Sequence, residues 1–223
     1  KGQVVAFFDF DRTLINGYSA AALAREYLRS GNQRLRGVAR EVQAVIEGER
    51  PGRGYLSLYR SLVSAMAGVR VSTVSALAQA AFERSLEGAI YREARQLIRL
   101  HRQLGHKVVI ISTASRFQVQ AVGDILEVDE ICCTELVERD GRLTGDIDGE
   151  PCFGEAKVIA ARRMARRYRA PMKDAWFYSD SHDDLPLLNR VGHPVPTNPS
   201  RKLSQIAEQK GWISLNFCSR GPA

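Results

Sequence analysis

The chain has 223 residues, of which 44% are hydrophobic and 26% charged, an ordinary balance for a globular protein with one large domain or a core plus a smaller insert. No apolar stretch approaches the roughly 20 residues that a bilayer-spanning helix needs, and no signal segment precedes the first predicted strand. The net charge of +7 favours anionic ligands or surfaces without defining a function. Because the sequence starts at Lys1, we expect a trimmed chain or a piece of a longer protein. The four cysteines lack zinc-site spacing, so reduced thiols and a cytoplasmic location are expected.

The first predicted element is a short strand that is followed at once by two carboxylates. Residues Val4–Phe8 form a continuous apolar run, as a strand buried on both faces would. If extended structure continues, Asp9 and Asp11 share a face. Like charges so close are costly unless a cation or a reaction needs them, which indicates a metal-assisted nucleophile site. The alternative is an ordinary strand-to-helix turn in which Thr13 caps the next helix.

The next part of the chain reads as helical throughout. Glycine-containing breaks at 31–32, 48–54 and 68–71 separate the segments, and Ser72 provides a capped start for the last of them. No strand interrupts this region, so we expect a helical cap domain at 16–88 and a core domain formed by 1–15 and 89–223. The predicted helices are 19–29, 33–47, 55–67 and 72–86.

From residue 89 onward, helices and strands alternate. Such alternation predicts a Rossmann-like three-layer α/β/α core with a parallel sheet, in which ligands collect beyond the carboxyl ends of the strands. Asp140 and Gly141 are typical of a hairpin turn. The predicted helices are 91–104, 116–126, 155–168, 183–190 and 203–210; the strands are 108–111, 130–133, 175–178, one through Val195, and 212–215; the hairpin spans 135–147.

Two polar signals occur at predicted helix starts. Ser112 and Thr113 follow the strand 108–111, where a hydroxyl and backbone N–H groups form a natural phosphate cradle. An ordinary N-cap is the alternative. Lys157 lies in the first turn of a helix, where a cation is electrostatically unfavourable. A nearby anionic cluster explains this lysine better than helix stability does, although a plain surface residue is also consistent with the pattern.

A third signal is acidic and follows the strand 175–178. The segment from Tyr178 places Asp180, Asp183 and Asp184 within five residues, which an acidic capped turn would also explain. Asp9, Asp11 and Asp180 would all project from strand ends of one sheet. Such a set of oxygens is what Mg²⁺ takes, together with phosphate and water.

These residues together resemble the four motifs of the haloacid dehalogenase superfamily, subfamily IB. The matching residues are Asp9-Phe10-Asp11-Arg12-Thr13, then Ser112, Lys157, and Asp180 with Asp184. The helical insert is similar to the C1-type cap of its phosphoserine phosphatase-like branch.

The resemblance implies a phosphatase with a role for each residue. Asp9 would attack phosphorus, and Asp11 would act as general acid and base while its carbonyl faces Mg²⁺. The metal would be held by Asp9, Asp11 and Asp180. The remaining roles implied are phosphate binding by Ser112, Thr113 and Lys157, support of the metal shell or of Lys157 by Asp184, and shaping of the first loop by Thr13.

The substrate implied is a small phosphomonoester, either a metabolite or a lipid-related head group. Phosphoserine phosphatases carry a glutamate after the first motif that holds the serine ammonium, and the equivalent position here is Tyr18. Losing that counter-charge disfavours phosphoserine, which stays as the alternative. Two further alternatives are a phosphotransferase and a non-catalytic phosphate- or membrane-binding domain of a larger lipid-metabolism protein.

Two arginine stripes bear on partners. One contains Arg92, Arg95, Arg99 and Arg102, and the other Arg162, Arg163, Arg166, Arg167 and Arg169. Solvated helix faces are the simplest interpretation. Contact with an acidic membrane is the alternative, and nucleic acid is less favoured because no aromatic residues interleave with the arginines. No pattern in the sequence specifies an oligomeric state.

Overall fold

The computed structural model describes residues 2–47 and 53–218, which are built around a sheet of five parallel strands. Phe8 of the central strand lies opposite Ile110 on one side and Tyr178 on the other. Because the strands are parallel, their carboxyl ends share one edge, and Asp9 follows the central strand at that edge. In spatial order the strands are β3 (Glu130–Thr134), β2 (Lys107–Ser115), β1 (Val5–Phe8), β6 (Trp176–Ser179) and β7 (His193–Pro196).

Helices cover both faces of this sheet. Ala6 and Phe8 pack on one side with α6 (Arg92–Gln103) and α7 (Arg116–Ile125). Val5 and Phe7 pack on the other side with α8 (Glu155–Arg167), α9 (Leu185–Leu188) and α10 (Arg201–Lys210). A strand buried on both faces needs a continuous apolar run, which is the pattern that predicted it. The predicted three-layer α/β/α fold is confirmed.

A helical insert separates β1 from α6. Its two connecting segments run side by side, since the Asn16 amide donates to the Ala89 carbonyl (2.8 Å) and the Tyr91 amide to the Leu14 carbonyl (3.0 Å). These bonds fix both ends of the insert beside the carboxyl edge of the sheet. The insert contains α1 (Ser19–Arg29), α2 (Gln33–Glu47), α3 (Arg53–Ala65), α4 (Val71–Ala81), a π-helical turn (Phe82–Leu86) and α5 (Glu87–Ala89).

The start of α4 differs from the sequence expectation. Ser72 does not cap it, because the helix already begins at Val71 and follows Arg70, whose side chain makes no capping bond. Instead the Val71 amide donates to the Gly141 carbonyl (2.9 Å), so a hairpin satisfies the first helical N–H. The predicted break at 48–54 falls largely outside the described residues, and α3 begins at Arg53.

A two-stranded hairpin, β4 (Leu136–Arg139) and β5 (Arg142–Ile147), lies outside the main sheet. Its turn residues Asp140 and Gly141 both have positive φ, 50° and 68°, as a type I′ turn requires. β5 packs against α3, and its backbone pairs with residues 68–71 of the insert. The hairpin therefore contacts the predicted cap, although it belongs to the core in the sequence division. The boundaries 1–15, 16–88 and 89–223 stay a prediction.

The last predicted strand is wrong. Within the described part of the chain, residues 212–215 form one isolated bridge, between Leu215 and Thr197, and residues 216–218 have no regular secondary structure. The predicted helix 183–190 is shorter, a 3₁₀ turn at His182–Asp184 followed by α9. Within the described residues, no helix has the length and apolar character that crossing a membrane requires.

Candidate active site

Three residues that are distant in sequence meet at the carboxyl edge of the sheet. Asp9 follows β1, Lys157 lies in the first turn of α8, and Asp184 ends the 3₁₀ turn after β6. The Lys157 ammonium donates to Asp9 Oδ1 and to Asp184 Oδ2, both at 2.8 Å. All three side chains are buried. The unusual placement of a lysine at a helix start is thus explained by the two carboxylates that it bridges.

Burial sets the electrostatics of this group. It raises the pKa of Asp9 to about 7; the neighbouring Asp184 charge adds to the rise, and Lys157 opposes it. For Lys157, burial disfavours the charge, but Asp184 and Asp9 together outweigh burial and raise its pKa. The two carboxylates therefore favour the charged form of Lys157, whereas burial favours the neutral form of Asp9.

Asp180 lies in the same edge, directly after β6. Its backbone amide donates to Thr13 Oγ1 (3.1 Å), which ties the first loop to this strand, and its Oδ2 is 3.2 Å from Arg12 Nε. Burial raises the pKa of Asp180 to about 8; the charge of Asp9 contributes to the rise, and Arg12 opposes it. The Asp9 charge thus disfavours ionisation of Asp180, and the cations Arg12 and Lys157 offset this only in part.

The donor set of this edge fits Mg²⁺. Within residues 2–47 and 53–218, no three Asp, Glu, His or Cys side chains are arranged as a ready cage for a metal. Mg²⁺ does not require one, because it keeps several waters and binds through one or two carboxylates plus substrate phosphate. Asp9 and Asp180 provide two buried, mutually repelling carboxylates of this kind.

Asp11 differs from Asp9 because the insert holds it. Its Oδ1 accepts a hydrogen bond from the Ser19 amide (2.7 Å) at the start of α1. Burial raises the pKa of Asp11 to about 6, and the hydrogen bonds from Ser19 limit the rise. A carboxyl group that titrates near neutral pH can both give and take a proton. One carboxylate oxygen of Asp11 is thus engaged by Ser19, and the metal contact of Asp11 stays a prediction.

The backbone conformation around Ser112 and Thr113, where the sequence predicts a phosphate cradle, differs from the expected helix start. β2 does not end at Ile111 but continues, past an irregularity in its pairing with β3, to Ser115, which lies opposite Thr134. Ser115 is the N-cap of α7, so Ser112 is not at a helix start. Ser112 is nevertheless buried, and it lies at the same edge as Asp9, two residues beyond Ile110. Its hydroxyl accepts a hydrogen bond from the Ala114 amide (3.1 Å).

Thr113 and Tyr18 make other contacts in the structure, and their predicted contacts with phosphate or substrate stay predictions. The Thr113 hydroxyl donates to the Cys152 carbonyl (3.0 Å). Tyr18 is 44% exposed at the N-cap position of α1. Its hydroxyl accepts a long hydrogen bond from the Arg12 guanidinium (3.3 Å).

Sequence reasoning missed several supporting side chains. Ser179 donates to Asp184 Oδ2 (2.7 Å) and so fixes the carboxylate that orients Lys157. Gln118 donates to Ser19 Oγ (3.0 Å), which connects α7 to the start of the insert. The spacing of Ser115 and Gln118, a capping box, was the available signal for Gln118. For Ser179 no signal exists beyond its place next to Asp180.

Comparison with known proteins identifies this arrangement. The family model described as haloacid dehalogenase-like hydrolase (HAD) matches residues 6–189. The chain belongs to the haloacid dehalogenase-like hydrolase family. The family resemblance and the predicted enzyme class, a phosphoric monoester hydrolase, are both confirmed.

Three similar proteins illustrate the range of this family. A probable phosphatase of Mycobacterium tuberculosis (strain ATCC 25618 / H37Rv) is 29% identical over 220 residues, which cover 97% of this chain and 76% of the relative. A protein of unknown function from Bordetella pertussis Tohama I has a crystal structure with a TM-score of 0.83 and 24% identity, covering 96% of this chain and 99% of that one. A phosphoserine phosphatase, solved as an analogue of its phospho-aspartyl intermediate, has a TM-score of 0.70 and 21% identity, covering 96% and 94%. These two structures share the fold.

Proposed function

We propose that this HAD enzyme is a Mg²⁺-dependent phosphomonoesterase that carries the phosphoryl group on Asp9. The observation that supports it most directly is the pair of 2.8 Å contacts that join Asp9, Lys157 and Asp184, with Asp180 beside them. An aspartate that is buried, paired with a lysine and facing a second acid is suited to accept a phosphoryl group once more positive charge is bound.

The residues divide two chemical steps between them. In the first, a carboxylate oxygen of Asp9 bonds to phosphorus while the bond to the ester oxygen breaks, and Asp11 gives its proton to that departing oxygen. In the second, Asp11 takes a proton from water, the water oxygen bonds to phosphorus, and the bond to Asp9 breaks. Phosphate leaves, and both aspartates return to their starting states.

Positive charge makes these steps possible. Lys157 favours the ionised form of Asp9, against the effect of burial, and lies where it can also attract the oxygens of the phosphate. Asp9 and Asp180, together with the Asp11 carbonyl, would hold Mg²⁺, which when bound supplies charge that offsets the phosphate oxygens. Ser112 would complete the phosphate contacts from β2, and Thr13 keeps the first loop against Asp180 through its hydroxyl.

The substrate proposed is a small phosphorylated metabolite or a lipid-related head group, rather than phosphoserine. The sequence position at which phosphoserine phosphatases carry their glutamate is Tyr18, and the neighbouring cation is Arg12, whose side chain is 41% exposed. A positive guanidinium repels an ammonium on the leaving group and favours a neutral or anionic one. Phosphoserine stays the alternative, since one structural neighbour is a phosphoserine phosphatase.

The nucleophile is tested with Asp9→Asn and a matched neutralisation at Asp183. Asp183 is an acid of the same region, and its side chain contacts Ser181 and His182 rather than Lys157. We expect Asp9→Asn to abolish phosphate release from p-nitrophenyl phosphate in the presence of Mg²⁺, while Asp183→Asn retains it. Acid-quenched enzyme should carry phosphate on the peptide that contains Asp9. Full activity of Asp9→Asn would make the assignment wrong.

Substrate choice is tested with a panel of phosphate esters. We expect kcat/KM for phosphoserine to lie well below the values for phosphorylated sugars, polyols and lipid head groups. The opposite order would establish the alternative. Absence of turnover across the whole panel would favour the non-catalytic interpretation.

A membrane contact of the arginine stripes is a second part of the proposal. Arg102 pairs with Glu127, and Arg167 pairs with Glu130 (2.9 Å), so these two arginines serve the protein surface itself. Arg163 contacts the Cys132 thiol, and Arg95 is partly buried. The exposed arginines of α6 and α8 that are left for an acidic surface are Arg92, Arg99, Arg162 and Arg166. Vesicle sedimentation tests this contact, and binding that ignores the content of anionic lipid would contradict it.

A further inference from the structure

Three arginines line one pocket of about 540 Å³ where the helical insert meets the hairpin. Arg34 comes from the first turn of α2, Arg70 immediately precedes α4, and Arg142 begins β5. Asn32 and Thr73 add polar groups to the same wall. The pocket shares no residue with the Asp9 cluster, so it is a different feature of the molecule.

Hydrogen bonds to the backbone hold two of these guanidinium groups in place. Arg34 donates to the Ala67 carbonyl (2.5 Å), and Arg142 donates to the Gly68 carbonyl (2.7 Å). Each of these bonds uses only part of a five-donor group, and no other bond from the two guanidinium groups is seen among the described residues. The remaining N–H groups are therefore available to a ligand, and their positions are set before it binds.

Arg70 and Arg142 also lie directly opposite each other. They form an antiparallel bridge between the insert and the hairpin. Like charges in directly opposed positions destabilise a strand pair. Within the described ranges 2–47 and 53–218, no carboxylate forms an ion pair with Arg34, Arg70 or Arg142. By contrast, Glu26 alone pairs with two arginines elsewhere in the insert.

We propose that this pocket binds a small multivalent anion that carries two or more phosphate or carboxylate groups. Guanidinium groups bind such oxyanions through paired hydrogen bonds, and three of them around one pocket select a ligand with several charges. The volume is within the range of metabolite sites. The anion supplies the negative charge that the surrounding protein lacks, and the repulsion between Arg70 and Arg142 becomes attraction to a shared partner.

Anion binding affects the movement of the insert relative to the hairpin, because one wall of the pocket is a short run of backbone hydrogen bonds between them. The Gly68 amide donates to the Leu143 carbonyl (2.8 Å), and the Leu143 amide donates to the Val69 carbonyl (2.9 Å). An anion that bridges Arg70 and Arg142 holds the two sides of this ladder together. It therefore slows the opening of the insert relative to the hairpin.

The test is calorimetric titration of the full chain with tripolyphosphate and, separately, with citrate, at about 0.1 M salt. We expect saturable binding of at least one of them, and the comparison separates phosphate from carboxylate chemistry. Arg70→Gln should weaken binding roughly tenfold, since Arg70 has no side-chain hydrogen bond within the described structure whose loss would disturb the fold. Arg40→Gln, the same charge change at an exposed position of α2 outside the pocket, should leave binding unchanged.

Hydrogen exchange gives a second readout that does not depend on activity. At an anion concentration near the wild-type Kd, exchange of the amides at 68–71 and 141–143 should slow clearly in wild type and in Arg40→Gln, and much less in Arg70→Gln. Equal affinity of wild type and Arg70→Gln would place the anion elsewhere, including at the catalytic cluster, and would overturn the proposal. Lack of binding by both anions would overturn it as well.

Discussion

Replacing Lys157 by Met removes the ammonium group that contacts both Asp9 and Asp184 while nearly preserving the side-chain volume. Both contacts are 2.8 Å long, and Lys157 is 3% exposed. A hydrogen bond between charged groups contributes about 1.5–3 kcal/mol, and breaking a buried ion pair by removing one partner costs about 3–5 kcal/mol. We therefore expect the free energy of unfolding to fall by about 4 kcal/mol at pH 7.

The same substitution should reduce kcat by about 10²–10³-fold, the usual loss when one charge-stabilising donor is removed. Without Lys157, the effect that lowers the pKa of Asp9 is lost, so burial and Asp184 raise that pKa further and weaken Asp9 as a nucleophile. A double-mutant cycle with Asp184→Asn separates the two effects. Stability should partly recover in the double variant because one of the unpaired charges is gone, whereas activity should stay low because Asp9 still lacks its cation.

Guanidinium unfolding and steady-state release of phosphate from p-nitrophenyl phosphate measure the two quantities. Lys202→Met, at an exposed position of α10, is the control for the loss of one lysine charge. The reasoning is refuted if Lys157→Met unfolds within about 1 kcal/mol of wild type, since no buried charge would then have been left unpaired. It is also refuted if the variant keeps wild-type kcat.

Three other predictions concern the same edge of the sheet. Burial raises the pKa values of Asp9 and Asp180 to about 7 and about 8. Without metal, these two groups therefore stabilise the fold most in acid, and that stabilisation is lost as pH rises through these values. Mg²⁺ should raise Tm more at about pH 8 than at about pH 5, and equal shifts at the two pH values would contradict this. Asp11→Asn should slow the single-turnover release of the alcohol from alkyl phosphates by about 10²–10⁴-fold, but that of p-nitrophenol from p-nitrophenyl phosphate less, because p-nitrophenolate leaves without a proton. Equal losses in this first step for both esters would argue against Asp11 as the acid. Asn198→Ala should lower the free energy of unfolding by about 1–2 kcal/mol, because the Asn198 side chain donates to the Arg12 carbonyl and accepts from the Phe217 amide. Asn189→Ala, at an exposed position, is the control and should have little effect. A denaturation curve of Asn198→Ala that matches wild type would show that these bonds contribute nothing.

The sequence was sufficient for the α/β core and for placing the candidate carboxylates at one edge of the sheet. A continuous apolar run indicates a strand that is buried on both faces, and parallel strands bring the residues after their carboxyl ends to one edge. Asp9 and Asp180 were therefore expected at the same edge. Lys157 was recognisable because a cation in the first turn of a helix needs an anion nearby.

Contacts that depend on the closed fold could not be predicted in this way. Arg12 has φ of 61°, and its carbonyl accepts a bond from Asn198, which is 186 residues further along the chain. Nothing in the local pattern of either residue indicates the other. The error at Ser112 has a similar cause, because β2 continues to Ser115 only through its pairing with Thr134. Propensity alone placed the end of that strand too early.

Arg12, which has a positive φ, is held in this conformation by several contacts at the edge of the site. A non-glycine residue in the left-handed region costs on the order of 1–2 kcal/mol, so other contacts must offset it. Here the Arg12 amide donates to the Gly17 carbonyl (3.1 Å), its carbonyl is held by Asn198, and its guanidinium lies against Asp180. A glycine would remove the strain but also the charge beside Asp180. Arg12 thus keeps a strained backbone conformation at the position where its side-chain charge limits the rise in the pKa of Asp180. The strain in this turn and the electrostatics of the carboxylates therefore depend on the same residue.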